Sequence, residues 1–282
     1  MTTSTIERQR PWLRKVPARA LTVITWALVL AFVFPFLWMI VTAFKPEGQA
    51  ATNPPTFFAD WTLESFTAAF ARDMAPYLIN SATASLLSTA VVLLLAIPGA
   101  YALTVRPIKR TRDALFFFIS TRFMPLAAAI IPIYLMLQSM GALDNITVLS
   151  ILYVGMNLPI AVWMMRSFFS EVPFEIIEAA QVDGANVRTE LFRVVLPIVL
   201  PGVAAAGLIC FIFAWNEYFL ANILTSSIAR TTPPFLTSFV DGRGLFLAVL
   251  SAASSLAILP VVIAGWVAQK QLVRGLAMGA IK

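Results

Sequence analysis

The chain has 282 residues, of which 60% are apolar and only 12% charged, with a mean hydropathy of +0.85. An average soluble domain is roughly a quarter charged, so there is too little charge here to clothe a folded surface in water, and disorder is excluded more firmly still. Histidine is absent and Cys210 is the single cysteine, which excludes histidine catalysis, histidine-ligated metals, internal disulfides and cysteine metal clusters; the formal net charge of +6 acquires meaning only from where the charges sit.

The expected class is therefore an all-α polytopic membrane protein, because a membrane helix needs about 20 largely apolar residues and six stretches supply them. A basic tail, residues 1–20, precedes the first span at 21–44, which carries no charge. That apolar run is about 24 residues, longer than the roughly 7–15 of a signal-peptide core, and no small-x-small site follows it, so it reads as an uncleaved span. The connection after it is long and holds WTLESFTAAFA, in which Trp61, Phe66 and Phe70 fall at the spacing of one face of a short interfacial helix. That face suits either packing on the bundle mouth or docking of an external partner.

The second span is 78–103, with Asn80 and Ser81 near its start, and a basic connection with Arg106, Lys109, Arg110 and Arg112 follows. The third is 114–137 with Arg122 inside it, the fourth 148–165 with Asn157, and the fifth 198–224 with Glu217. The connection 226–244 is too polar and too interrupted by Pro233 and Pro234 to cross, so the sixth span is 245–267, followed by a tail, 268–282. Pro35, Pro98, Pro125, Pro132, Pro159 and Pro260 lie within spans, where proline can kink a helix without ending it. Fifteen of the 20 basic residues fall on the side of the two termini and four on the other, which predicts both termini in the cytoplasm.

Residues 166–197 form a cytoplasmic connection of mixed character: Pro173 suits a helix start, Phe174, Ile177 and Ala180 follow at helical spacing, and Gly184 suits a stop. A second helix is expected from Ala185 to about Val195, ending near Pro197. This helix-turn-helix is no nucleic-acid reader, since it is tethered between two spans and its acids outnumber its bases.

Within it, Glu178-Ala179-Ala180, then Gly184 after three residues, then Val194-x-Leu196-Pro197 after nine, closely resembles the EAA signature of the membrane subunits of ATP-binding-cassette importers, with Val194 where the family usually has isoleucine. The long first outer loop, the WNEYF segment and the terminal QKQLVRGLAMGAIK are similar to the carbohydrate-uptake branch, specifically to the second maltose-type permease subunit; the STRFMP stretch resembles the sugar-alcohol (mannitol and sorbitol) permeases of that branch. The resemblance implies a bacterial inner-membrane subunit working with a second homologous permease, a dimer of ATPase subunits and an extracytoplasmic substrate-binding protein. It places Glu178, Ala179, Ala180, Asp183, Gly184, Leu196 and Pro197 at the contact with the ATPase and implies contact of the C-terminal tail with that dimer, whereas the short basic tail by itself suits anchorage to anionic headgroups. The chain has no G-x-x-x-x-G-K-[ST] loop, so the resemblance implies that ATP and Mg are held by the partner subunits and that this chain binds no cofactor of its own and is no enzyme.

Polar groups in spans are costly and mark either a solute path or interhelical contacts. The candidates for a path are Trp215, Asn216, Glu217 and Tyr218, whose rings and polar tips suit a sugar or polyol, with Asn157 and with Arg122, which could pair with Glu217 across the bundle. The rival readings are interhelical contacts for these residues, another small polar solute, and an ion-coupled secondary transporter, which would usually show internal repeats that are not evident here.

Overall fold

The computed structural model describes residues 18–106, 109–123, 126–241 and 244–280. The tail expected at 1–20 falls almost wholly outside these residues, as do Pro125 and Arg243.

The described helices are α1 (Ala18–Ala43), α2 (Glu47–Ala50), α3 (Glu64–Ala71), α4 (Met74–Thr104), α5 (Thr111–Phe123), α6 (Leu126–Ser139), α7 (Ile146–Phe169), α8 (Phe174–Val182), α9 (Val187–Thr189), α10 (Leu196–Trp215), α11 (Phe219–Leu224), α12 (Thr232–Leu236) and α13 (Leu247–Ala280). A two-residue antiparallel pair, Val240–Asp241 with Gly244–Leu245, is the described exception to an all-α chain. Five of the helical stretches are long and apolar enough to cross a membrane, and α5 with α6 makes a bent sixth.

Hydroxyl residues ride inside these helices by donating to the carbonyl four residues back, as Thr83 does to Ile79, Thr104 to Ala100 and Ser150 to Ile146. Such local bonds leave no donor facing lipid. The centre of the bundle is α4, α7 and α10 packed together, with α13 against α10, α1 along α13, and α5 against α7. Ala96, Ala100, Ala161 and Ala206 are wholly buried where these helices meet, and at Gly202 a Cβ would stand 2.3 Å from the Phe168 ring. Association between helices in lipid gains little from the hydrophobic effect, so close approach of small residues is the main source of contact energy.

Four differences from the expected layout have local causes. The third span is not one helix: α5 and α6 differ in direction by 89°, with Pro125 in the sequence between them. The fifth span also breaks, because α10 stops at Trp215 and α11 starts afresh at Phe219, two first-turn amides of α11 being taken by Glu217. The second helix of the 166–197 segment does not end near Pro197; α9 continues through a π-helical turn, Glu190–Val195, into α10, giving an unbroken run from Val187 to Trp215. A proline deprives the carbonyl four residues back of its donor, and the wider turn just upstream absorbs that loss. Finally, α13 continues past Val267 to Ala280, about 50 Å in all, so the last span and most of the expected tail are one helix.

The first outer connection also packs differently from its sequence pattern. Helix α3 buries Ser65 and Ala69, while Trp61 and Phe70 are exposed and Phe66 is half-buried against Phe44. Contact with α13 and α4 is close, and small residues win the buried face.

Candidate functional site

The 166–197 segment is built as a projecting helix on a short stem. Glu175 sits in the first turn of α8, where the helix dipole favours an acid, and Pro173 precedes the helix. Ile177 and Ala180 face the bundle, and Ile177 joins the same core as Met165, Phe169, Leu191 and Val195. Glu178, Ala179 and Asp183 are exposed on the other face, and Val182 at its end is 87% exposed. Gly184 turns the chain with φ +78°, a conformation that costs an ordinary residue about 1–2 kcal/mol, and the Asn186 side chain caps α9 by accepting from the Thr189 amide. Ala179, Ala180, Asp183, Gly184 and Val194 line a groove of about 480 Å³ between the two helices. Leu196 is half-buried and Pro197 exposed at the start of α10, one π turn away from the groove.

The fastening of this projection rests on a residue that sequence reasoning counted only as a loop acid. Glu190 is 0% exposed. Its carboxylate accepts from the Tyr101 hydroxyl, from Arg106 Nη2 at 2.9 Å and from Gln181 Nε2 at 3.2 Å. Tyr101 lies in the last turn of α4, Arg106 follows that helix, and Gln181 belongs to α8, so one carboxylate ties the projecting helix to the end of the central span. Arg106–Glu190 is the one ion pair among the described residues. A signal was available: Val187, Leu191, Val194 and Val195 mark an apolar stripe at helical spacing, and Glu190 sits in it rather than opposite it.

The candidate path residues do not form one cluster. Trp215 is buried and its Nε1 donates to the Ala257 carbonyl at 3.2 Å. Glu217 is buried too; it accepts from the Leu220 and Ala221 amides at 2.9 and 3.1 Å and from the Tyr153 hydroxyl at 3.1 Å. Asn157 is wholly buried, donates to the Cys210 carbonyl at 3.3 Å and leaves Oδ1 without a partner among the described residues. Asn216 and Tyr218 point the other way and are exposed, Asn216 donating to Ile212 at 2.9 Å. Arg122 does not reach Glu217: its Nη1 donates to the Met156 carbonyl at 3.0 Å and its guanidinium lies 5.2 Å from the Phe213 ring centre. Each group already has a nearer partner on the protein. With Thr121, Gly155, Met156, Pro159 and Leu220, Arg122 lines a cavity of about 570 Å³ along the broken third span.

At the opposite end of the bundle from the projecting loop, Asp144 clasps two connections. Its backbone has φ +53°, and its carboxylate accepts from the amides of Ser226, Ser227, Ile228 and Ala229 at 2.9–3.1 Å. Partial burial pushes its pKa up, but the amides of Ile228, Ser226 and Ala229 and the Ser226 hydroxyl outweigh that and hold the carboxyl well below the usual carboxylate range. Asn80 donates to the Ile228 and Arg230 carbonyls of the same segment, and Ser81 bonds Thr232, so these two α4 residues fasten a loop.

Comparison with known proteins gives this architecture a family. Residues 96–274 match the model of the binding-protein-dependent transport system inner membrane component family. The chain is 36% identical to a probable ABC transporter permease protein of Sinorhizobium fredii, over 90% of this chain and 92% of that one. It is 33% identical both to the sulfoquinovosyl glycerol transport system permease of Agrobacterium fabrum (90% of each chain) and to the diacetylchitobiose uptake system permease of Streptomyces coelicolor (90% and 94%). Among solved structures, a chain of a bacterial ABC transporter involved in the import of the acidic polysaccharide alginate shares the fold, with a TM-score of 0.72 and 23% identity over 89% of this chain and 94% of that one. The chain belongs to the inner-membrane permease family of binding-protein-dependent ABC transporters, as a multi-pass transport subunit rather than an enzyme.

Proposed function

We propose that this chain forms half of the translocation path for a sugar or sugar alcohol in an ATP-driven importer, and that it takes its power stroke through the 166–197 loop. The observation that supports this most is the build of that loop: an exposed Glu178-Ala179 face beside the Gly184 turn, fastened rigidly to the end of α4 by buried Glu190. A stiff projection of this kind seats in a cleft of a separate ATPase subunit, with Glu178 placed for a charge-assisted bond and the two alanines allowing close approach. The carbohydrate reading rests on what the named relatives transport.

In this reading residues 1–20, the 166–197 loop and the end of the chain from 268 face the cytoplasm, and residues 21–267 are the permease proper. The partners are a second, unlike permease chain, an ATPase dimer holding ATP and Mg, and an extracytoplasmic binding protein; this chain binds no cofactor. Asn216, Tyr218 and Arg122 are the path residues whose side chains reach open space, while Trp215, Glu217 and Asn157 hold the helices that present them.

The test is co-purification of the chain with its ATPase, reconstitution in proteoliposomes, and ATPase stimulation across a panel of sugars and polyols with the binding protein present. The expected result is stimulation by one carbohydrate class, lost in Glu178→Lys. A chain that copurifies with no ATPase, or ATP turnover indifferent to every carbohydrate, overturns the reading.

A further inference from the structure

The end of the bundle that carries the projecting loop holds a second cavity, of about 500 Å³, between the start of α5 and the end of α7. Arg112, Phe116 and Ile119 line it from α5, and Trp163 and Arg166 from α7. It is separate from the loop groove and from the Arg122 cavity, and shares no lining residue with either.

Its chemistry is one-sided. Two guanidiniums face it, and among the described residues no carboxylate pairs with either. Arg166 Nε and Trp163 Nε1 are buried donors without a hydrogen-bond partner among the described residues. Arg166 also lies 5.9 Å from the Trp163 ring centre, a cation–π contact that holds the guanidinium over the indole. A buried N–H with no acceptor is costly, and two beside one cavity call for an acceptor from outside the described residues. Several donors and two positive charges, beside the neutral hydroxyl of Thr111 and no carboxylate in the lining, match a phosphodiester anion.

The surroundings choose the form that anion takes. Arg112 is the second residue of α5, and Arg166 lies in the last turn of α7, so both stand where spans end and headgroups begin. Below them α5 exposes Phe116 at 71% and Phe117 at 64%, an apolar surface continuous with the cavity wall. A soluble phosphate would use the cationic end and leave that wall idle, whereas a phospholipid uses both.

We propose that this cavity binds the headgroup of an anionic glycerophospholipid, with Arg112, Arg166 and the Trp163 indole N–H on the phosphate and an acyl chain along Phe116 and Ile119.

The test uses the full chain, with whatever subunits copurify, extracted in mild detergent from membranes containing phosphatidylglycerol and cardiolipin. Retained phospholipid is counted by native mass spectrometry. The Arg112→Gln/Arg166→Gln variant should retain anionic lipid roughly tenfold less. Trp163→Phe, which keeps the ring and removes only the donor, should lose a smaller part. Retention at the wild-type level in the double variant overturns the proposal. So does an equal loss in Arg188→Gln/Arg193→Gln, which removes the same charge elsewhere on this end, and so does displacement of the lipid by excess inorganic phosphate. Lipid is counted whether or not the sample transports, so this result and that of the ATPase experiment fail independently.

Discussion

Replacing Glu190 by alanine should unseat α8 from the bundle while leaving the membrane helices in place. The carboxylate serves three donors, and each fares differently when it goes. Tyr101 is only 2% exposed, so its hydroxyl is left buried without an acceptor, at about 1–3 kcal/mol. Gln181 is exposed and rehydrates, so its lost bond counts about 1 kcal/mol. Arg106 lies at the surface and turns back to water. The sum is about 2–4 kcal/mol, charged against the seat that α8 and the Glu190 turn share at the end of α4, because Glu190 bonds Gln181 of α8 on one side and Tyr101 and Arg106 on the other. At about 1.4 kcal/mol per factor of ten, the undocked fraction rises roughly 30-fold to nearly 1000-fold. Hydrogen exchange reads that fraction directly: amides of 177–184 should lose protection by that factor while those of α7 and α10 keep theirs. Glu190→Gln keeps an acceptor for Tyr101 and should fall between. In proteoliposomes the alanine variant should hydrolyse ATP with less solute moved per turnover. Unchanged protection in α8 would refute the reasoning, and so would a uniform loss across α7 and α10, which would make Glu190 a general stabiliser rather than a fastener.

Three further outcomes follow from the site geometry. Gly184→Ala meets no atom within 4 Å of the new Cβ, so its effect comes from φ alone: about 1–2 kcal/mol of backbone strain at the turn and reduced transport per ATP, with the melting temperature of the membrane bundle unchanged. The WNEY quartet should divide in two: Trp215→Phe and Glu217→Gln lower the melting temperature, whereas Asn216→Ala and Tyr218→Phe leave it alone and alter the kinetics of uptake. A stability loss from Asn216→Ala equal to that from Glu217→Gln would show the division to be wrong. Asp144 has a folded pKa held below its unfolded value, so its contribution is present above the unfolded value and is lost only as pH falls through the lower folded one. The 226–229 amides should therefore stay equally protected at pH 7 and pH 5 after correction for intrinsic exchange, and should open at both in Asp144→Asn.

Spans were readable from composition because a 20-residue window averages over local detail; Leu247 onward and the α4 and α7 segments differ from expectation only at their ends. Breaks were not, because one or two residues decide them. Glu217 looked like an isolated charge in an apolar run, and what it does is stop one helix and start the next by taking two first-turn amides. Glu190 was out of reach for another reason. Its partners Tyr101 and Arg106 are 89 and 84 positions away, and no local pattern carries a contact of that separation. The aromatic spacing of Trp61, Phe66 and Phe70 could not tell packing from an outward face; Ser65 and Ala69 take the buried side and leave Trp61 and Phe70 exposed.

The scarcity of charge that excluded a soluble fold also explains where the acids went. Glu47, Asp144, Glu190 and Glu217 each join a chain end or turn to a different element. Glu47 accepts from the Ala248 and Val249 amides at the start of α13, Glu217 opens α11 and holds Tyr153 of α7, Asp144 gathers the 226–229 amides, and Glu190 ties α8 to α4. Apolar burial discriminates poorly between one helix packing and another when lipid is the alternative solvent, because a leucine gains little by leaving acyl chains for protein. First-turn amides and turn N–H groups at the membrane boundary do discriminate, since each must find an acceptor, and a charged one roughly doubles the bond. A chain with only 14 acids therefore places charged clasps at the ends of its helices and leaves the middles to small-residue packing. Between the span middles the bonds are made by neutral groups, as where Asn157 of α7 donates to the Cys210 carbonyl of α10 and Trp215 of α10 to the Ala257 carbonyl of α13; a charge-assisted bond is roughly twice as strong, so under strain the middles yield before the clasps at the ends.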